Sequence, residues 1–170
     1  MDESASENAA WIDRAVDRYQ SMLHRYALRL VGDAQRAQDV VQDTFLKLVR
    51  ENHAELNGRL AEWLYTVCRN RALDVRRKES KMVSLCDETA IETTSRGDNS
   101  SDIETKEMFT TAVAALGTLP ERQQEVVRLK FEHGLSYQEI ANVTGISVSH
   151  VGYLLHTTLK TLRERLKASD

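Results

Sequence analysis

The chain has 170 residues, room for one medium domain or two small ones, and its 41% hydrophobic and 29% charged content is that of a soluble globular protein. No apolar run approaches the roughly 20 residues of a membrane span, and two cysteines, Cys68 and Cys86, exclude a disulfide framework. A net charge of −3 weighs against a polyanionic partner only until it is resolved along the chain. From Arg69 to Lys81 six cations (Arg69, Arg71, Arg76, Arg77, Lys78, Lys81) face two acids, Asp74 and Glu79. From Ser84 to Glu107 seven acids (Asp87, Glu88, Glu92, Asp98, Asp102, Glu104, Glu107) face Arg96 and Lys106. A polyanion feels local fields within a Debye length of about 10 Å, so the basic stripe leaves DNA open as a partner.

One proline and seven glycines favour helices over strand-and-turn architecture. Residues 1–10 are polar and acidic, without the layout of a signal peptide; disorder and a cytoplasmic location are the expectation. A first helix is predicted over Trp11–Val31, with Tyr19, Met22, Leu23, Tyr26, Ala27 and Leu30 on one face. Gly32 ends it and Asp33 caps a second, which runs to about Glu51 with Ala37, Val40, Val41, Thr44, Phe45 and Leu48 inward. After a polar break, Asn52 to Arg59, a third helix over Leu60–Lys78 turns Leu64, Val67, Cys68, Ala72 and Val75 inward. Three such helices bury their stripes only against one another, giving a first domain over 11–81. Residues 82–102 read as a flexible acidic linker, whose Asp87, Glu88, Glu92 and Asp98 are placed to screen the basic stripe.

A second domain is expected over 103–168. Met108, Phe109, Ala112, Val113 and Leu116 share a face, Gly117 breaks it, and Pro120 opens a helix reaching about Phe131 with Val126, Val127 and Leu129 apolar. Ser136 and Glu139 then have capping-box spacing. A short helix with Ile140, Ala141 and Val143 inward ends at Gly145, Ile146 plugs the turn, and Ser147 caps a last helix with a stripe of Val148, Val151, Leu155, Leu159 and Leu162. Cap, glycine turn and core plug in this order make a helix-turn-helix. Its outward residues Ser149, His150, Tyr153, His156 and Thr157 are candidates to reach bases, with Lys160, Arg163 and Arg165 suited to phosphates.

The sequence contains no dinucleotide, P-loop or zinc-protease motif, and its five histidines are scattered; no cofactor or metal is expected, and not an enzyme. The fold class is all-α, two small helical domains joined by a linker. Leu119-Pro120-Glu121-Arg122 with Glu125-Val126 and Gly134–Ala141 resembles region 4 of bacterial sigma factors. Asp39-Val40-Val41-Gln42-Asp43-Thr44-Phe45 is similar to region 2.2, and Trp63-Leu64-Tyr65 with Asn70-Arg71-Ala72 to regions 2.3 and 2.4. Their order and spacing over Trp11 to Leu166 resemble the extracytoplasmic-function (ECF) sigma factors, which keep only these two domains.

The resemblance implies a partner set of core RNA polymerase (clamp helices and flap), promoter DNA and an anti-sigma factor, with no membrane insertion of the chain's own. It implies polymerase docking by Arg36, Asp39, Gln42, Asp43 and Lys47. For −10 recognition and melting it implies His53, Asn57, Arg59, Trp63, Asn70, Arg71, Arg76, Arg77 and Lys78, with the polar break capturing a flipped base and Tyr65 a second stacking aromatic. For the −35 element it implies Ser147, Ser149, His150, Tyr153, His156, Thr157 and Lys160. Family recognition helices often carry arginines at the positions of Gly152, Leu154 and Thr157; their absence removes the strongest base contact, Arg to guanine, from the middle of the helix. Gly152 suggests a close approach of the backbone to DNA. A stand-alone helix-turn-helix regulator that binds its operator without polymerase is the alternative.

Overall fold

The computed structural model describes residues 3–83 and 103–168, and among them are seven helices and no strand. They form two compact units, each with its own core. The linker residues 84–102 and the expectation attached to their acids lie outside the described residues.

The first unit contains α1 (Glu3–Val31), α2 (Ala34–Leu48) and α3 (Leu60–Val83), each packed on the other two. Helix α1 begins eight residues before Trp11, so residues from Glu3 onward are helical where disorder is expected from the sequence. The physical reason is composition: Ala5, Ala9 and Ala10 favour helix, and elongation from a packed helix needs no new nucleus. Gly32, at φ 73°, ends α1. Asp33 then accepts a hydrogen bond from the Arg36 amide at 2.8 Å and starts α2.

The core of this unit is made by Leu23, Tyr26 and Ala27 of α1, Ala37, Val40, Val41, Thr44 and Leu48 of α2, and Leu64, Tyr65, Cys68 and Ala72 of α3. Each fully buried leucine stabilises the unit by about 1.5–3 kcal/mol. Tyr26 and Tyr65 meet edge to face at 5.3 Å. Tyr65 is therefore a core residue, and its expected role as a stacking platform for bases is corrected. Burial pushes the Cys68 thiol up to about 12 from its ordinary 9.0, a hydrogen bond with Thr44 notwithstanding, so it stays a protonated apolar filler.

The second unit contains α4 (Ile103–Gly117), α5 (Glu121–Phe131), α6 (Tyr137–Thr144) and α7 (Val148–Ala168). Helix α7 is the hub, packing on α4, α5 and α6. Gln124 closes the end of α4 by donating to the Gly117 and Leu119 carbonyls at 3.2 and 2.7 Å. The Arg165 guanidinium donates to Thr118 and to the Ala115 carbonyl, tying the far end of α7 to the same corner. Arg165 thus has a structural use where phosphate contact is expected. Pro120 is the N-cap of α5 rather than its first helical residue.

Two expected stripes are redrawn. In α7 the buried residues are Val151, Leu154, Leu155 and Thr158, while Val148 and Leu159 are 39% and 37% exposed. The 3.6-residue period selects 151, 154, 155 and 158 as one face, and the threonine fills a core slot that its polarity conceals in the sequence. In α4 Phe109 is 69% exposed while Leu116, seven residues on, is buried.

Candidate nucleic-acid and polymerase interfaces

Helix α2 divides its polar residues between two directions. Arg36 and Asp43, seven residues apart, face α3: the Arg36 guanidinium pairs with Glu79, and Asp43 accepts from Arg71 Nε at 2.6 Å. Asp39, on the same row between them, is exposed, as are Gln42 on the flank toward α1 and Lys47 near the helix end. The five residues expected to act together are thus split, three outward and two engaged with α3. Between α2 and α1 runs a groove of about 650 Å³ lined by Ile12, Val16, Val41, Phe45, Leu46 and Val49, with Gln42 on its rim. Leu46 and Val49 are 61% and 53% exposed. The sequence does signal these two: they are apolar residues outside the 37, 40, 41, 44, 48 stripe of α2.

The loop joining α2 to α3 is shaped by its own side chains. Asn52 Oδ1 accepts from the Ala54 amide at 3.1 Å, and the Asn52 carbonyl accepts from the Glu55 amide at 3.1 Å. Leu56 is buried beneath the loop, and Gly58 takes the left-handed conformation at φ 77°. His53, Asn57 and Arg59 are exposed, with Arg59 donating to Glu62 at 3.2 Å. On α3, Trp63, Asn70 and Arg77 are spaced by seven and stand one above another. Trp63 is half-buried, Asn70 and Arg77 exposed. The basic stripe is less free than a charge count implies, since Arg71 is held by Asp43 and Arg77 lies 3.5 Å from Asp74. Arg76 is half-buried and Lys78 exposed.

The helix-turn-helix is fixed at three points. Ser136 Oγ accepts from the Glu139 amide at 3.2 Å while Glu139 accepts from the Ser136 amide at 2.7 Å, a complete capping box. Gly145 sits at φ 72° between the helices. Ser147 Oγ accepts from the His150 amide at 3.1 Å, which commits its side chain to the cap. Ser149, His150, Tyr153, His156 and Lys160 are exposed and Thr157 is half-buried, so α7 presents the expected face. The His150 and Tyr153 rings lie 6.4 Å apart. Leu154 is buried and does not belong to this face. Gly152 backs onto Tyr137: a Cβ there would stand 3.7 Å from the ring. The close neighbour is thus a side chain of α6, which the expectation of a DNA approach did not include.

The Sigma-70 region 2 profile matches residues 15–82, and that of Sigma-70 region 4 matches residues 115–164. The ECF RNA polymerase sigma factor SigL of Mycobacterium tuberculosis is 32% identical over 170 residues, 96% of this chain and 93% of SigL. The chain belongs to the ECF sigma factors. An ECF sigma factor is a transcription factor that works with RNA polymerase as a promoter-specific initiation factor, and the all-α fold in two helical units agrees with that membership. Two solved structures share the fold. The sigma factor RpoE of Bartonella quintana, crystallised with the anti-sigma factor NepR, superposes with TM-score 0.69 at 24% identity over 93% of this chain and 98% of that one. CnrH, solved with the cytosolic domain of CnrY, gives 0.61 at 24% identity over 99% and 95%. No described helix of this sigma factor is long and apolar enough to cross a membrane.

Proposed function

We propose that the first unit joins this sigma factor to core polymerase through the outer face of α2 and opens the −10 element with the α2–α3 loop and α3, while α7 reads the −35 element. The observation that carries the reading is the separation of surfaces on the first unit. Gln42 and the apolar groove lie on the flank of α2 turned toward α1, and the α3 row of Trp63, Asn70 and Arg77 belongs to the helix packed on the other flank. Docking and melting therefore need not compete for the same residues. An apolar groove with a polar rim is the usual anatomy of a protein interface. A row with one half-buried aromatic, one amide and one cation suits a strand whose bases are unstacked.

On α7 the readers are Ser149, His150, Tyr153, His156 and Thr157, with Lys160 on the backbone and Ser147 holding the helix start. Without arginine in the middle of the helix, this arm gains its effective affinity when polymerase holds both arms on one promoter. The polymerase supplies the catalysis and the sigma factor none, and a partner of the bacterial polymerase acts where that enzyme transcribes, in the cytoplasm. The Bartonella quintana neighbour, solved with the anti-sigma factor NepR, supports an anti-sigma factor as a further partner. Run-off transcription with purified core and a library of random promoters tests the assignment. Transcripts sharing −35 and −10 elements are expected; specific binding by the free chain, with no gain from core, points instead to a stand-alone regulator.

A further inference from the structure

The two halves of the α2–α3 loop are held by different means. The second half is anchored from beneath, by buried Leu56 and by the Arg59 amide donating to the Leu56 carbonyl at 2.9 Å. The first half, Asn52 to Glu55, is exposed and bonded to itself through Asn52. Those bonds set the shape of a turn and leave its position on the bundle open. A link to the bundle comes from α1: the Trp11 indole lies 5.6 Å from the His53 imidazole, centroid to centroid, at an interplanar angle of 47°. Helix α1 starts at Glu3, two turns upstream, so Trp11 stands in the body of the helix and is itself half-buried.

We propose that Trp11 is a positioning residue for base recognition: its indole fixes His53, and with it the first half of the loop, where an unstacked −10 base is read. The inference rests on the base-binding reading of the loop given above. A pocket discriminates bases only in the arrangement that fits one of them; a loop free to take other arrangements admits every base without that fit, and the mixture discriminates less. A tilted aromatic pair at this separation changes such an equilibrium by about threefold to tenfold. The ring is the operative feature, so phenylalanine substitutes for much of it and alanine for none. Ile12, the next residue, lines the groove proposed for polymerase, so docking has to be measured separately from base reading.

The test uses the full chain assembled with core polymerase on a promoter recovered by run-off selection, with all four bases placed in turn at each −10 position. Opening is followed by 2-aminopurine fluorescence, and polymerase affinity by competition. Trp11→Ala is expected to reduce discrimination at one −10 position about fivefold, with polymerase affinity unchanged and most of the discrimination regained by Trp11→Phe. His53→Ala, on the exposed loop, is expected to give the same loss without endangering the fold, and adding it to Trp11→Ala is expected to cost nothing more. Equal slowing for every base at every position, or undiminished discrimination in Trp11→Ala, overturns the proposal. If the wild-type holoenzyme itself shows no base preference in the −10 element, the reading of the loop fails and the inference with it. If Trp11→Ala behaves as wild type while His53→Ala loses discrimination, the inference fails and the loop reading stands.

Discussion

In the second unit the residues proposed to meet DNA lie on one face of one helix, held by a capping box, a left-handed glycine and a serine cap. In the first unit they come from a loop and from α3, and part of their charge is engaged by α2 through Arg71–Asp43. The difference teaches where rigidity comes from. The α7 reader is fixed by local backbone chemistry. The first unit's reader is shaped locally in its loop and positioned by contacts between residues far apart in sequence, Trp11 with His53 and Asp43 with Arg71.

The largest effect expected to break this comparison lies on α2. Leu46→Glu puts a charge on an exposed groove residue; polymerase affinity is expected to fall by about 100-fold, while the melting temperature stays within a few degrees because the side chain is not in the core. The corresponding change on α7, Tyr153→Ala, is expected to leave polymerase affinity unaltered and to weaken −35 binding by about tenfold, measured on holoenzyme with −35 variants.

These two predictions also mark what was legible in the sequence. The α6–α7 turn was legible because its signals are local: Ser136, Glu139, Gly145 and Ser147 each act within four residues. The three-helix arrangement of the first unit was legible from the stripe of each helix. The α1–α2 groove was not, because it depends on which flank of α2 remains uncovered once α1 and α3 have packed. Tyr65 is misplaced and Leu154 is missing from its stripe on the same ground, since sequence places a residue near a stripe and packing decides how wide the stripe becomes. The ion pair between Asp43 and Arg71 joins residues 28 apart, a separation at which no helical spacing gives a signal.

Smaller effects sharpen the contrast between local and long-range fixing. Ser136→Ala is expected to destabilise the second unit by about 1 kcal/mol in a denaturant titration, by removal of one half of the capping box. Thr158→Val is expected to stabilise it by up to about 1 kcal/mol, because the Thr158 hydroxyl is buried and finds no hydrogen-bond partner among the described residues. Asp43→Asn is expected to cost the first unit less than about 1 kcal/mol, since the pair is partly exposed, and to raise nonspecific DNA affinity at low salt by releasing Arg71. Cys68 gives a pH test of its core. Its folded pKa is raised above the unfolded value, and the neutral thiol is the form the fold prefers. The contribution is therefore complete below about pH 9 and lost as pH rises toward about 12, so Cys68→Ala is expected to lose less stability than wild type over that window.

The central claim is that this sigma factor grips a promoter at two points only when polymerase holds its units in register. Its most direct measurement is the affinity for one selected promoter of the free chain, of core polymerase alone, and of the two together, each with intact or scrambled −35 and −10 elements. The account predicts sequence-specific binding for the assembled pair, lost when either element is scrambled, and little specificity for the free chain. Full specificity in the free chain, unchanged by core polymerase, would contradict it.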